Sequence, residues 1–91
     1  MPDRARILDE AKRLTTQDRN KDYGDPVATH AEIATGWEVI LGTQVTARQV
    51  ALCMGWLKTV RACHSPHLVD HYADGAAYLA IAGECALAAE K

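Results

Sequence analysis

An all-α fold is what this sequence predicts, and three observations predict it. Apolar residues recur at helical spacing in four stretches, those stretches are separated by helix-starting and helix-stopping residues, and no run of useful length alternates apolar with polar as a strand would. With no internal repeat and no low-complexity linker, residues 1–91 are read as a single domain.

The first helix is expected over residues 3 to 15, where Ile7, Leu8, Ala11 and Leu14 share a face and Asp3 stands ahead as a candidate N-cap. The polar segment TTQDRNKDYGD, residues 15 to 25, carries no apolar period and ends in a glycine turn. Asp25-Pro26 then supplies a cap followed by proline at the first helical position, opening a second helix from about 26 to 41 that Gly42 stops. Thr46-x-x-Gln49 has the capping-box form and opens a third helix, with Val50, Met54, Leu57 and Val60 or Arg61 on repeating faces. Ser65-Pro66 is expected to cap and start the fourth, which continues to residue 89. In that last helix the run GAAYLAIAGECALAA has small residues on nearly every face, so it needs cover on several sides. A four-helix chain of this length supplies little cover, and a helix-mediated homo-oligomer, dimer or tetramer, is expected.

Composition narrows the function. A net charge of −2 gives no basic excess, which argues against nucleic acid or a membrane surface as partner. Cys53, Cys63 and Cys85 lack CxxC spacing and sit in apolar helical contexts, so they read as reduced core thiols of a cytoplasmic protein. No apolar run approaches 18 residues and the segment MPDRARILDEAKR is charged throughout, so neither a signal peptide nor a membrane span is expected.

The chemistry-bearing residues cluster late in the chain. In VDHYADGAAYLAIAGE, residues 69 to 84, Asp70 and Asp74 lie four apart on one helix face and repel each other. Solvated positions near the helix N-terminus are one reading of the pair and divalent-cation ligation the other; Asp74 fits the first less well, because it enters an apolar run where a carboxylate needs a partner such as Mg²⁺ or Mn²⁺. Lys58 and Arg61, three apart in WLKTVRACH, suit phosphate oxygens or salt bridges to Asp70, Asp74 or Glu38. His64, His67 and His71 have spacings that a zinc site could use, but Pro66 breaks the chain between the first and the others.

The order YGDP, then IAxxW, then QVALCMxxLKxxR, then DxxxDxxAYLA resembles the small phage-encoded relatives of the MazG-like, all-α nucleoside triphosphate pyrophosphohydrolases. Those blocks are Tyr23 to Pro26, Ile33-Ala34 with Trp37, Gln49 to Arg61, and Asp70 to Ala80. The resemblance implies a four-helix MazG-like fold and a nucleoside triphosphate substrate cleaved to monophosphate and pyrophosphate. It further implies (d)GTP as substrate, in a branch that feeds 2-aminoadenine nucleotide synthesis in the cytoplasm of a phage's host. The family pattern is EExxE on one helix and ExxD on a later one. Here His71 stands where the Glu of ExxD would be, Asp74 is its Asp, and Asp70 is a substitute ligand. On the earlier helix Glu32 and Glu38 are six apart and cannot share a face; Glu38 is the preferred ligand and Glu32 the weaker one. By this resemblance Mg²⁺ or Mn²⁺ ions on Glu38, Asp70, Asp74 and Glu32 activate water, Glu38 takes its proton, and Lys58 and Arg61 steady the phosphates. Tyr23 and Trp37, with Trp56, are the stacking surfaces for the base. Two other classes remain: a broad house-cleaning dNTP or dUTP pyrophosphohydrolase, and a non-catalytic helical interaction protein.

Overall fold

The computed structural model describes residues 2–16 and 24–89, and the regular structure among them is helical throughout. The helices are α1 (Asp3–Thr16), α2 (Pro26–Leu41), α3 (Ala47–His64) and α4 (Val69–Ala89).

Local chemistry explains most of the boundaries. Asp25 is extended, its carboxylate accepts from the Ala28 N–H at 3.2 Å, and Pro26 follows at the first helical position. Gly42 ends α2 at φ 68°, a left-handed conformation that suits a residue without Cβ, and donates its N–H to the Glu38 carbonyl at 2.9 Å. The capping box opening α3 is complete: Gln49 N–H donates to Thr46 Oγ1 at 3.1 Å, and Thr46 N–H donates to Gln49 Oε1 at 2.9 Å.

Two expectations differ from the structure. Asp3 is already inside α1, where Arg6 donates to its carboxylate at 3.2 Å, and the Pro2 carbonyl accepts the Ala5 and Arg6 N–H groups. Ser65-Pro66 does not start α4. The Ser65 N–H is spent on the Arg61 carbonyl at 2.9 Å, which finishes α3, and Pro66 opens a turn closed by the Leu68 N–H on the Ser65 carbonyl. The helix begins three residues after the proline, with the Tyr72 hydroxyl donating back to the Pro66 carbonyl at 2.8 Å.

Small residues set the packing. α4 lies most intimately against α3 and also against α1, while α2 rests on α3 with a lighter touch on α4. The centre is made of Val50 and Ala51 from α3 with Ala73, Ala77, Ile81, Ala82 and Cys85 from α4, and Val50 is the largest side chain wholly removed from solvent. Ala77, within the small-residue run expected to need cover from a second chain, is buried inside this one. Cys85 is a core thiol as expected, but Cys53 and Cys63 are exposed, and so is Trp56 at 69%. Among the described residues no helix is long and apolar enough to cross a membrane.

Candidate functional site

Asp74 occupies the second turn of α4 and Lys58 the fourth turn of α3, the two helices that approach most closely. Lys58 Nζ meets Asp74 Oδ2 at 3.0 Å, with only 14% and 16% of the two side chains exposed. Of the three carboxylates weighed as partners for Lys58, the fold selects this one. So little water reaches the pair that each charge depends on the other.

Asp74 also lines a cavity of about 120 Å³. Leu14 of α1 and Ala77, Tyr78 and Ile81 of α4 give it apolar walls, while Thr29, His30 and Asp74 supply polar atoms. His30 is the buried polar residue of the core, 7% exposed. Its Nδ1 lies 2.8 Å from the Pro26 carbonyl, which only accepts, so Nδ1 carries the hydrogen, and whenever the ring is neutral Nε2 is its acceptor. Tyr78 meets the His30 ring edge-on, with centroids 6.0 Å apart at 67°, an arrangement favoured by aromatic quadrupoles. Sequence reasoning gave His30 and Tyr78 no place in the site. The available signals were Tyr78 one turn after Asp74 on the same face, and a histidine within a mostly apolar helix four residues after Pro26.

The remaining expected residues are scattered. Asp70 is exposed and borders a charged groove with Arg6, Asp9, Glu10 and Arg13 of α1. In that groove the Arg13 guanidinium donates to the Glu10 carboxylate at 2.6 Å and holds its pKa below the usual value. Arg61 is exposed and, unlike Lys58, makes no side-chain hydrogen bond or ion pair among the described residues. Glu32 is exposed; Glu38 and Trp37 are half-buried near the end of α2, and none of the three lines the cavity. Tyr23 lies outside the described residues.

A hard divalent cation takes about six oxygen ligands and needs several from protein carboxylates or substrate. Among the described residues no three His, Cys, Asp or Glu side chains come together to hold a metal ion, and Asp74, the acid at the cavity, is already engaged by an ammonium. The set Glu38, Asp70 and Asp74, with Glu32, thus does not assemble within one described chain, and neither do His64, His67 and His71. What the arrangement offers is a ring-sized apolar recess with acceptors at its edge and a fixed cation beside it.

A family model described as DUF6378, a domain of unknown function, matches residues 6–86. No curated protein and no solved structure matches the chain.

Proposed function

The chain belongs to the DUF6378 family, and from its site we propose a nucleotide pyrophosphohydrolase that converts (d)GTP to (d)GMP and pyrophosphate and feeds 2-aminoadenine nucleotide synthesis. The observation that carries it is the cavity. Its volume of about 120 Å³ approaches the roughly 150 Å³ that accommodates a benzene ring. One ring of a purine enters, and sugar and phosphates stay outside. Guanine presents an N–H and an amino group side by side, which match acceptors such as the Asp74 carboxylate and His30 Nε2; adenine lacks that pair of neighbouring donors.

Lys58 holds the Asp74 carboxylate in place, and Arg61, exposed one turn farther along α3, is the cation available to phosphate oxygens. In the reaction the oxygen of water bonds to the α-phosphorus, the α–β phosphoanhydride breaks, pyrophosphate leaves, and the water's proton passes to solvent. Two features of the proposal, the MazG-like relationship and assembly into a dimer or tetramer, rest on the order of the sequence blocks and on the exposed apolar surface. The dependence on Mg²⁺ or Mn²⁺ rests on the sequence blocks alone, since the described residues of one chain gather no ligand set.

The test is incubation with dGTP, GTP, dATP, dTTP and dUTP, with and without Mg²⁺ or Mn²⁺, resolving monophosphate plus pyrophosphate from diphosphate plus phosphate. Cleavage of dGTP and GTP to monophosphate, with dATP and dTTP clearly poorer, supports the reading. Equal rates on all would make it a house-cleaning enzyme, and a preference for dUTP would make it a dUTP pyrophosphohydrolase. A second reading, a non-catalytic interaction protein, is favoured by one observation, the absence of a gathered carboxylate set among the described residues. Binding of neither nucleotide nor Mn²⁺ would establish it.

A further inference from the structure

Guanine presents three polar groups along one edge: the O6 oxygen, the N1–H and the N2 amino group. The base site proposed above, on which this inference rests, matches the N–H and the amino group to Asp74 and His30. It leaves O6 without a donor. An acceptor taken out of water with no hydrogen bond weakens binding, so the wall of the recess has to supply one.

Three side chains of that wall carry hydroxyls: Thr15, Thr29 and Tyr78. Two of these residues already have partners: Thr15 Oγ1 donates to the Ala11 carbonyl at 3.1 Å, and Thr29 is engaged as well. The Tyr78 hydroxyl makes no hydrogen bond among the described residues. Tyr72 makes the contrast: although 42% exposed, it donates to the Pro66 carbonyl at 2.8 Å. A tyrosine hydroxyl withdrawn from water ordinarily finds a partner, and Tyr78 is half-buried. What is left to take its hydrogen is water or a ligand in the recess. Lys58, the cation of the site, is paired with Asp74 at 3.0 Å and does not line the recess.

The tyrosine is also held before any ligand arrives. A Cβ on Gly55 would stand 3.8 Å from the Tyr78 Cβ, so the bare backbone of α3 lets the root of the side chain lie close. The His30 ring meets the Tyr78 ring edge-on, with centroids 6.0 Å apart. Asp74 lies one turn earlier on the same face of α4. A side chain fixed at root and ring has little rotamer freedom left to lose on binding.

We infer that the Tyr78 hydroxyl donates a hydrogen bond to the O6 oxygen of the bound base, which makes Tyr78 a specificity-determining residue and 6-oxopurines the class of base the recess takes.

The experiment is titration of the natural chain and of Tyr78→Phe with three deoxynucleoside monophosphates. These are dGMP, dIMP, which keeps O6 and N1–H but lacks the amino group, and the monophosphate of 2-aminopurine deoxyriboside, which keeps the amino group but lacks O6. Calorimetry follows the first two and base fluorescence the third. Tyr78→Phe should weaken dGMP and dIMP alike, by about two- to tenfold, and leave the 2-aminopurine ligand bound no more weakly than before. Its urea midpoint should match that of the natural chain, because the lost hydroxyl has no partner among the described residues. Unchanged dGMP binding in Tyr78→Phe overturns the inference and leaves the base site standing. So does an equal loss on all three ligands, or a lowered urea midpoint, either of which makes Tyr78 a structural residue. A natural chain that binds none of the three removes the base site itself, and this inference with it.

Discussion

Replacing Lys58 by methionine keeps the aliphatic stem and removes the ammonium, leaving the Asp74 carboxylate beside an apolar cavity with no partner. At 3.0 Å and an effective dielectric constant near 20, the gross attraction is about 5.5 kcal/mol. Most of that offsets desolvation of the two ions. Removing one member of a fully buried pair costs about 3–5 kcal/mol, and an exposed pair contributes under about 1 kcal/mol. With some 15% of each side chain still reached by water, Lys58→Met should cost about 2–3 kcal/mol. That is a large share of the roughly 5–14 kcal/mol expected for 91 residues, and at roughly 5 °C per kcal/mol it lowers Tm by roughly 10–15 °C. Urea unfolding followed by circular dichroism at fixed chain concentration measures it, the fixed concentration mattering because association shifts apparent stability. The double variant Lys58→Met, Asp74→Leu should regain more than half of the loss, since it leaves no unpaired charge. A loss below about 0.5 kcal/mol for the single variant would refute the reasoning, because it would mean the pair is screened like a surface one.

Other outcomes follow from the same structure. Asp74→Asn should abolish turnover while the helical spectrum is retained; undiminished turnover would remove Asp74 from the site. His30→Leu loses the bond to the Pro26 carbonyl and the contact with Tyr78, so it should cost about 1–2 kcal/mol in urea unfolding and weaken dGMP binding measured by calorimetry. Thr46→Ala removes one half of the capping box and should cost about 1 kcal/mol in the same unfolding assay. Burial, and then the charges of Glu84 and Asp25, push the Cys85 thiol above the usual 9.0. The folded chain then holds that proton where the unfolded chain has released it. Stability present below pH 9.0 is lost as pH rises toward the folded value, and Cys85→Ala should flatten that alkaline limb of the unfolding free energy.

The boundaries that sequence reading placed well are those decided within a turn of chain. Asp25-Pro26, Gly42 and the Thr46–Gln49 box each bond to backbone three or four residues away, so their geometry is local. Ser65-Pro66 misled because the same dipeptide suits the end of one helix as well as the start of the next, and the Ser65 N–H was already claimed by Arg61. At the site, opposite charges on two helices foretold an ion pair, but three acids competed for Lys58 and only the approach of α3 to α4 chose Asp74. His30 became a site residue through burial among helices distant in sequence, which no spacing reveals. Sequence alone does not place Trp56 at the surface, since α3 is apolar around most of its circumference and periodicity then does not say which side the chain itself covers.

The central claim is that the recess at Asp74 receives the nucleotide base. Amide chemical shifts recorded during titration of the ¹⁵N-labelled chain with dGMP test it most directly. The account expects saturable shifts centred on Thr29, His30, Asp74 and Tyr78 with dGMP, and much weaker ones with dAMP at the same concentration. Shifts centred on the outer face of α3, or on none of the described residues with either nucleotide, would contradict it.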